Sequence, residues 1–521
     1  MKMKSIKLIA VLAVLSTAFV SCDSDPFEAA LEEAHENQFT AENVEDYHSK
    51  TYTSLEVIEL DGAKVDIYVD LSDGIAPAWD DDSNRSLFKT IINRMTNSST
   101  IIPMGRRSKN APKEDIGLSE GMSQGAQIEL LMNPESASQL IYAQIQDNLD
   151  SINTKNREAI FISDFEEYKD SKSLTVAKAA IYSGAFQKWL DKGHNLHLYR
   201  LPYSDGEKSK NLVIAMFSSS ESTNSIVNSL MQTIKEESGV LPDVSFTHNP
   251  FKIDYQESIL QDLEGTILYD PNLIDYETVG HDNWKNWNSS LGYEVHSMPA
   301  DFDYYLDPGF YDISNGKFTE GLLLNSVASN FLTIKKLDIS VLDITSALAL
   351  NSEVNYFSNV QSEIELAKDE GGNIVWSETD TMNYPYLSEV FEENTKNLKD
   401  IYDNPSFSNN VKDLQLAIEL DQDLFDDWMK NDPSKVKVHL DLNKDKIPNY
   451  RANGDPFGWA ILLDVDDIEL NLNHFESYIF TDPKGNVNKS LSESLKNVAL
   501  YWEKQLLENE SRIYTYYLTK E

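Results

Sequence analysis

The chain has 521 residues, and a hydrophobic fraction of 41% with eight Trp and 25 Tyr marks a folding protein with a large core rather than a disordered one. Asp and Glu number 86 against 44 Lys and Arg, a net charge of −42. A surface this acidic repels nucleic acid and anionic lipid, which excludes nucleic-acid partners, and one cysteine excludes a disulfide framework.

The first 22 residues read as an export signal. Lys2, Lys4 and Lys7 form a positive start, and the apolar run Leu8–Val20 is too short to span a bilayer. The run ends "AFVSC", with the small Ser21 before Cys22, the sole cysteine. This resembles the lipobox of bacterial lipoproteins, which implies that Cys22 is diacylated and becomes the mature N-terminus. The lipid is then the anchor, because no other apolar stretch reaches the ~18 residues a second span needs. Residues 23–52 form an acidic tether. Its opening "DSDPFEAALEE" resembles the surface-export signal of Bacteroidota lipoproteins, which implies an outer-membrane, surface-exposed location.

Residues 53–250 alternate short apolar runs with amphipathic segments. "VDIYVDL" reads as a strand, "NRSLFKTIINRM" as a helix with Leu87, Phe88, Ile91, Ile92 and Met95 on one face, and "TIIPM" as a strand. "ASQLIYAQIQDNLDSI" reads as a helix, "EAIFISDF" as a strand, and "KAAIYSGAFQKWLDKG" as a helix stopping at Gly193. "NLHLYRL" and "NLVIAMF" are strands, and "TNSIVNSLMQTIKEE" closes the series as a helix. Such alternation predicts an α/β fold, a doubly wound, mostly parallel sheet with helices on both faces. "SLEVIELDGAKVDIYVD" adds either a hairpin turning at Asp61-Gly62 or an earlier run lying elsewhere.

From 251 to 521 the texture changes. An irregular, aromatic connector runs to Phe318, followed by alternating runs such as "LTIKKLDISVLDI", "SEVNYFSNVQSEIELA", "KVKVHLDLN" and "ILLDVDDIELNLN". Period-two alternation predicts a β-rich, sandwich-like domain. "NKSLSESLKNVALYWEKQLLENE" closes it as a helix.

The candidate site lies at strand ends. Asp70 and Ser72 follow "VDIYVD", and Asp164 follows "AIFIS". In doubly wound sheets ligands bind beyond the carboxyl ends of the strands, and two carboxylates with a hydroxyl suit a hard divalent cation. Asp70-Leu71-Ser72 after one strand and Asp164 after a later one resemble the metal-ion-dependent adhesion site of a von Willebrand factor A domain. The resemblance covers about Val65–Ile234. It implies Mg2+ or Ca2+ at Asp70, Ser72 and Asp164, with Ser136 or Ser138 nearest to a second-loop ligand, and a protein or glycan partner. Gly74 stands where the family has a second Ser, and Phe165 where it has Gly; Asp73 is a neighbouring ligand-binding candidate. The bland alternative is that Asp70 and Asp164 cap turns.

Other signals are weaker. Trp284 and Trp287 beside amides suggest a sugar platform or aromatic core. "DLNKDKIPN" starts like a calcium loop but has Lys446 where the turn wants Gly, and reads as a hairpin turn. His194 and His197 lack metal spacing and read as a surface and a core residue. No nucleophile elbow, Walker loop or dinucleotide fingerprint occurs, and Ser72 stands where a haloacid-dehalogenase-like phosphatase needs its second Asp. Two classes remain: a lipid-anchored binding or adhesion protein, and a glycan-handling or hydrolytic lipoprotein with its site in 251–318.

Overall fold

The computed structural model describes residues 32–51, 57–61 and, apart from short gaps and the segment 167–179, residues 64–248. Beyond these it describes 293–298, 317–320, 331–363, 412–413, 418–420, 438–442, 456–481, 487–509, 511–520 and a few isolated positions. Cys22, Ser136, Ser138, Trp284 and Trp287 lie outside the described residues.

Six strands form the first sheet: β1 Val65–Asp70, β2 Ser99–Met104, β3 Ala159–Ser163, β4 Asn195–Asp205, β5 Lys208–Ser218 and β6 Val244–Phe246, in the order β2-β1-β3-β5-β4-β6. β1 pairs parallel with both β2 and β3. The pairings β3–β5, β4–β5 and β4–β6 are antiparallel. The sheet is therefore mixed, which corrects the mostly parallel expectation. The cause is a hairpin: β4 turns into β5 through Asp205 and Gly206, the latter at φ 64, and a tight Asp-Gly turn joins antiparallel strands. The run 57–61 does not pair with β1, whose neighbours are β2 and β3. Ile58 and Asp61 donate their amides to Lys192 and Asn156, so the earlier run lies elsewhere.

Helices cover both faces, as period two in the strands requires. Val65, Ile67 and Val69 of β1 and Ile160 and Ile162 of β3 meet Leu87, Phe88, Ile91 and Ile92 of helix α2 (Asp82–Met95). Helix α1 is Ala41–Thr51 and α3 is Gln124–Met132. Tyr68 and Phe161 face the other way, toward α4 (Ile145–Lys155) and α5 (Ser183–Leu190), which supply Ile145, Leu149, Ile152, Phe186 and Trp189. The helix expected from Ala137 starts only at Ile145. Helix α6 (Ile226–Ser238) is capped by the Ser225 hydroxyl, which accepts the Asn228 amide at 2.9 Å, and ends at Gly239, φ 69.

The later residues build a separate five-stranded sheet, order β10-β9-β13-β16-β7, from β7 Tyr293–Met298, β9 Leu332–Asp343, β10 Lys412–Asp413, β13 Phe457–Leu470 and β16 Arg512–Lys520. β8 Lys317–Glu320, β11 Ile418–Leu420 and β12 Val438–Leu442 form a three-stranded sheet, and β14 Phe480–Thr481 pairs with β15 Val487–Asn488. "SEVNYFSNVQSE" is not a strand. It lies in helix α7 (Thr345–Glu363), where Ala347, Leu348, Leu350 and Val354 are buried at helical rather than alternate spacing. The last helix, α8, is Ser490–Asn509. One apolar cluster joins both halves: Phe246 of β6 packs against Phe331, Phe475 and Trp502. No helix of the described residues is long and apolar enough to cross a membrane.

Candidate functional site

β1 and β3 are adjacent and parallel, so their carboxyl ends open at one edge of the sheet. β2 lies on one side of β1 and β3 on the other, and such a reversal of strand order is where doubly wound sheets bind ligands. Asp70 and Asp164 meet there. Asp70 Oδ1 accepts the Ser72 amide at 2.8 Å, and Oδ2 accepts the Ser163 hydroxyl at 2.7 Å. The Ser163 oxygen accepts the Phe165 amide at 2.9 Å, and Asp164 Oδ1 accepts the Glu166 amide at 3.0 Å. Both carboxylates are also turn caps in this sense, and both are buried.

Burial and charge crowding set their protonation. Burial, then the neighbouring Asp164, pushes Asp70 up to about 7, against the hydrogen bonds from Ser72 and Ser163. Burial also raises Asp164, while the Lys210 ammonium and the Glu166 amide pull it back. Asp73 is exposed and adds to the negative field at Asp164.

Four residues absent from the sequence reading complete the site. The β4–β5 hairpin extends past the end of β3 and brings Tyr203 and Lys210, directly paired and hence on one face. The Tyr203 hydroxyl donates to Gly74 O at 2.9 Å. Lys210 Nζ lies 3.6 Å from Glu166 Oε2, both side chains at most 3% exposed, and 5.0 Å from the centre of the Phe480 ring. Phe480 comes from the second half of the chain, so both halves wall the site. β5 opens Lys208-Ser209-Lys210, and a lysine there carries no periodic signal of burial. Glu166 was visible two residues after Asp164 but unmarked among 86 acids.

The two departures from the adhesion motif have physical counterparts. A Cβ at position 74 would stand 3.3 Å from both Asp164 Oδ2 and Lys210 Nζ, so a side chain there crowds the pair. Phe165 takes φ 56, the left-handed conformation a Gly adopts freely. Its ring is held between Phe161, Tyr182 and Phe186, and the Tyr182 hydroxyl donates to its carbonyl at 3.0 Å.

Asp70, Asp164 and Glu166 place three buried carboxylates against one buried ammonium, and Gly74 packs closely against Asp164 and Lys210. Carboxylate oxygens each keep a lone pair beyond the hydrogen bonds named. Among the described residues no three His, Cys, Asp or Glu side chains are grouped to hold a metal.

His194 does not lie on the surface: it is 1% exposed, its ring 4.9 Å from that of Trp189. His197 is core, with Nδ1 2.8 Å from the Ser245 hydroxyl. Compared with known protein families, curated proteins and solved structures, the chain matches none.

Proposed function

We propose that the chain is a lipid-anchored cell-envelope protein, held by Cys22 at the outer-membrane surface, whose first unit is an A-domain-like binding module. Its carboxyl-edge crevice is the binding face for a protein or glycan partner. The observation that supports this best is the convergence of Asp70 and Asp164 at the switch in strand order, with Asp70 pushed up to about 7. Crowded buried carboxylates at a ligand-binding edge are the kind of arrangement that function maintains against stability.

A divalent cation, magnesium or calcium, would be held by Asp70, Asp164 and the Ser72 hydroxyl, and would supply a Lewis-acidic position for a partner's carboxylate or hydroxyl. The residues' own work is separate. The Ser72 and Phe165 turns hold the two carboxylates at the edge, and Tyr203 ties the Gly74 loop to the hairpin.

The test is cross-linking on intact cells with wild type and Asp70→Asn, which keeps shape and removes charge. The variant should reach the surface in equal amount yet lose its cross-linked species. Identical species from both proteins would overturn the reading.

A further inference from the structure

A cleft on the second half of the chain has no part in the site at the ends of β1 and β3. Its volume is about 490 Å³, and β13 and α8 supply most of its lining. β13 contributes four consecutive residues, Asp467 to Leu470. Side chains of a strand alternate between its two faces, so an unbroken run of four marks the edge of the strand. The pairing agrees. β9 accompanies β13 as far as Leu470, whereas β16 begins opposite Asp464. Among the described residues, therefore, no strand continues β16 beside the last residues of β13. α8 borders the cleft there with Leu500 and Glu503.

The surface is apolar below and acidic above. Ile468 is buried, Leu470 and Leu472 are half-buried, and Leu500 is 47% exposed, a large apolar side chain left for a partner to cover. Lys335, the cation of the lining, is taken by Glu469 at 2.5 Å, and the neighbouring Lys336 by Asp466. Burial, then the charge of Asp467, holds the Glu503 carboxyl above its ordinary range. Asp467 and Glu503 thus crowd one another beside the open edge.

We propose that this cleft captures an extended segment of a partner protein in which basic and apolar residues alternate. The segment adds to the edge of β13 through main-chain hydrogen bonds. Its apolar side chains cover Ile468 and Leu500, and its lysines or arginines meet Asp467 and Glu503. Acids at a strand edge deter a strand of like charge. This chain carries a net −42, so a basic partner is favoured over a second copy. The proposal is independent of the reading given to Asp70 and Asp164.

Fluorescence anisotropy of the purified full chain, at physiological ionic strength, follows a short labelled peptide of alternating lysine and valine. It should bind saturably. A lysine–serine peptide keeps the charge, loses the apolar face and should bind at least about fivefold weaker. Asp467→Asn combined with Glu503→Gln neutralises both acids and should weaken binding about fivefold, the effect of two ion pairs of ordinary strength. Asp147→Asn combined with Asp150→Asn removes the same charge from exposed positions on α4 and should leave binding unchanged. No saturable binding, equal binding of the lysine–serine peptide, or equal losses in the two double variants overturns the proposal. A dimer of the purified chain that Leu500→Asp dissolves gives the cleft to a second copy and overturns it as well.

Discussion

The two ends of β3 each bury a carboxylate, and they treat it in opposite ways. Glu158, just before the strand, is surrounded by donors. Its Oε1 accepts the Ser219 amide at 2.9 Å and the Ser225 hydroxyl, and its Oε2 accepts the amides of Ile226 at 2.9 Å and Val227 at 3.3 Å. It therefore closes the N-terminus of α6, where unsatisfied N–H groups and the helix dipole both favour an anion. Asp164, just after the strand, shares its surroundings with Asp70 and Glu166 and has Lys210 as the cation nearby. Burial alone therefore does not mark a functional acid. What separates the two ends is whether fixed donors or other carboxylates surround the charge.

Glu158→Ala should have the largest effect of the substitutions that probe this contrast. Removing the acceptor leaves the buried amide of Val227 and the part-buried amides of Ser219 and Ile226 without it, a loss of about 3 to 5 kcal/mol in urea unfolding. A loss below about 1 kcal/mol would remove the structural role given to this end.

At the other end, Phe165→Gly pits two effects against each other. Glycine relieves about 1 to 2 kcal/mol of left-handed strain, whereas deleting a buried phenyl ring costs about 3 to 5 kcal/mol. The packing term wins, and the variant should be about 1 to 4 kcal/mol less stable. A stabilised variant would mean that the aromatic cluster does not hold the turn.

The smallest effect at neutral pH, and the sharpest in pH dependence, belongs to Asp70→Asn. Unfolded, this carboxyl titrates near the ordinary 3.8, and folded it titrates at about 7. Between those values the native state holds the extra proton, so stability falls as pH rises from about 4 to about 7 and then levels. Asn carries no such proton, so the wild-type decline should flatten in the variant when urea midpoints are compared across pH 4 to 8. Parallel curves would show that Asp70 is not held protonated by the site.

Much of the first unit was legible in local pattern. The strands ending at Asp70 and Ser163, the buried face of α2 and the helix closed by Gly239 follow from period, capping and chain-reversing residues, all properties of neighbours in sequence. The place of the hairpin was not legible, because an Asp-Gly pair occurs at 61–62, 73–74 and 205–206 and only strand pairing selects one. α7 was misread for a similar reason: "SEVNYFSNVQ" alternates weakly enough to suit either period until tertiary burial decides.

The candidate site divides along the same line. Asp70, Ser72 and Asp164 could be picked out because position after a strand is a sequence property, and the structure brings the two carboxylates to one edge. Lys210 and Phe480 could not, since they lie 46 and 316 residues beyond Asp164 on other elements. Local sequence determines which acids end the strands. The hairpin reversal and the docking of the second half determine which cation faces them, because electrostatic pairing depends on distance in space and not along the chain.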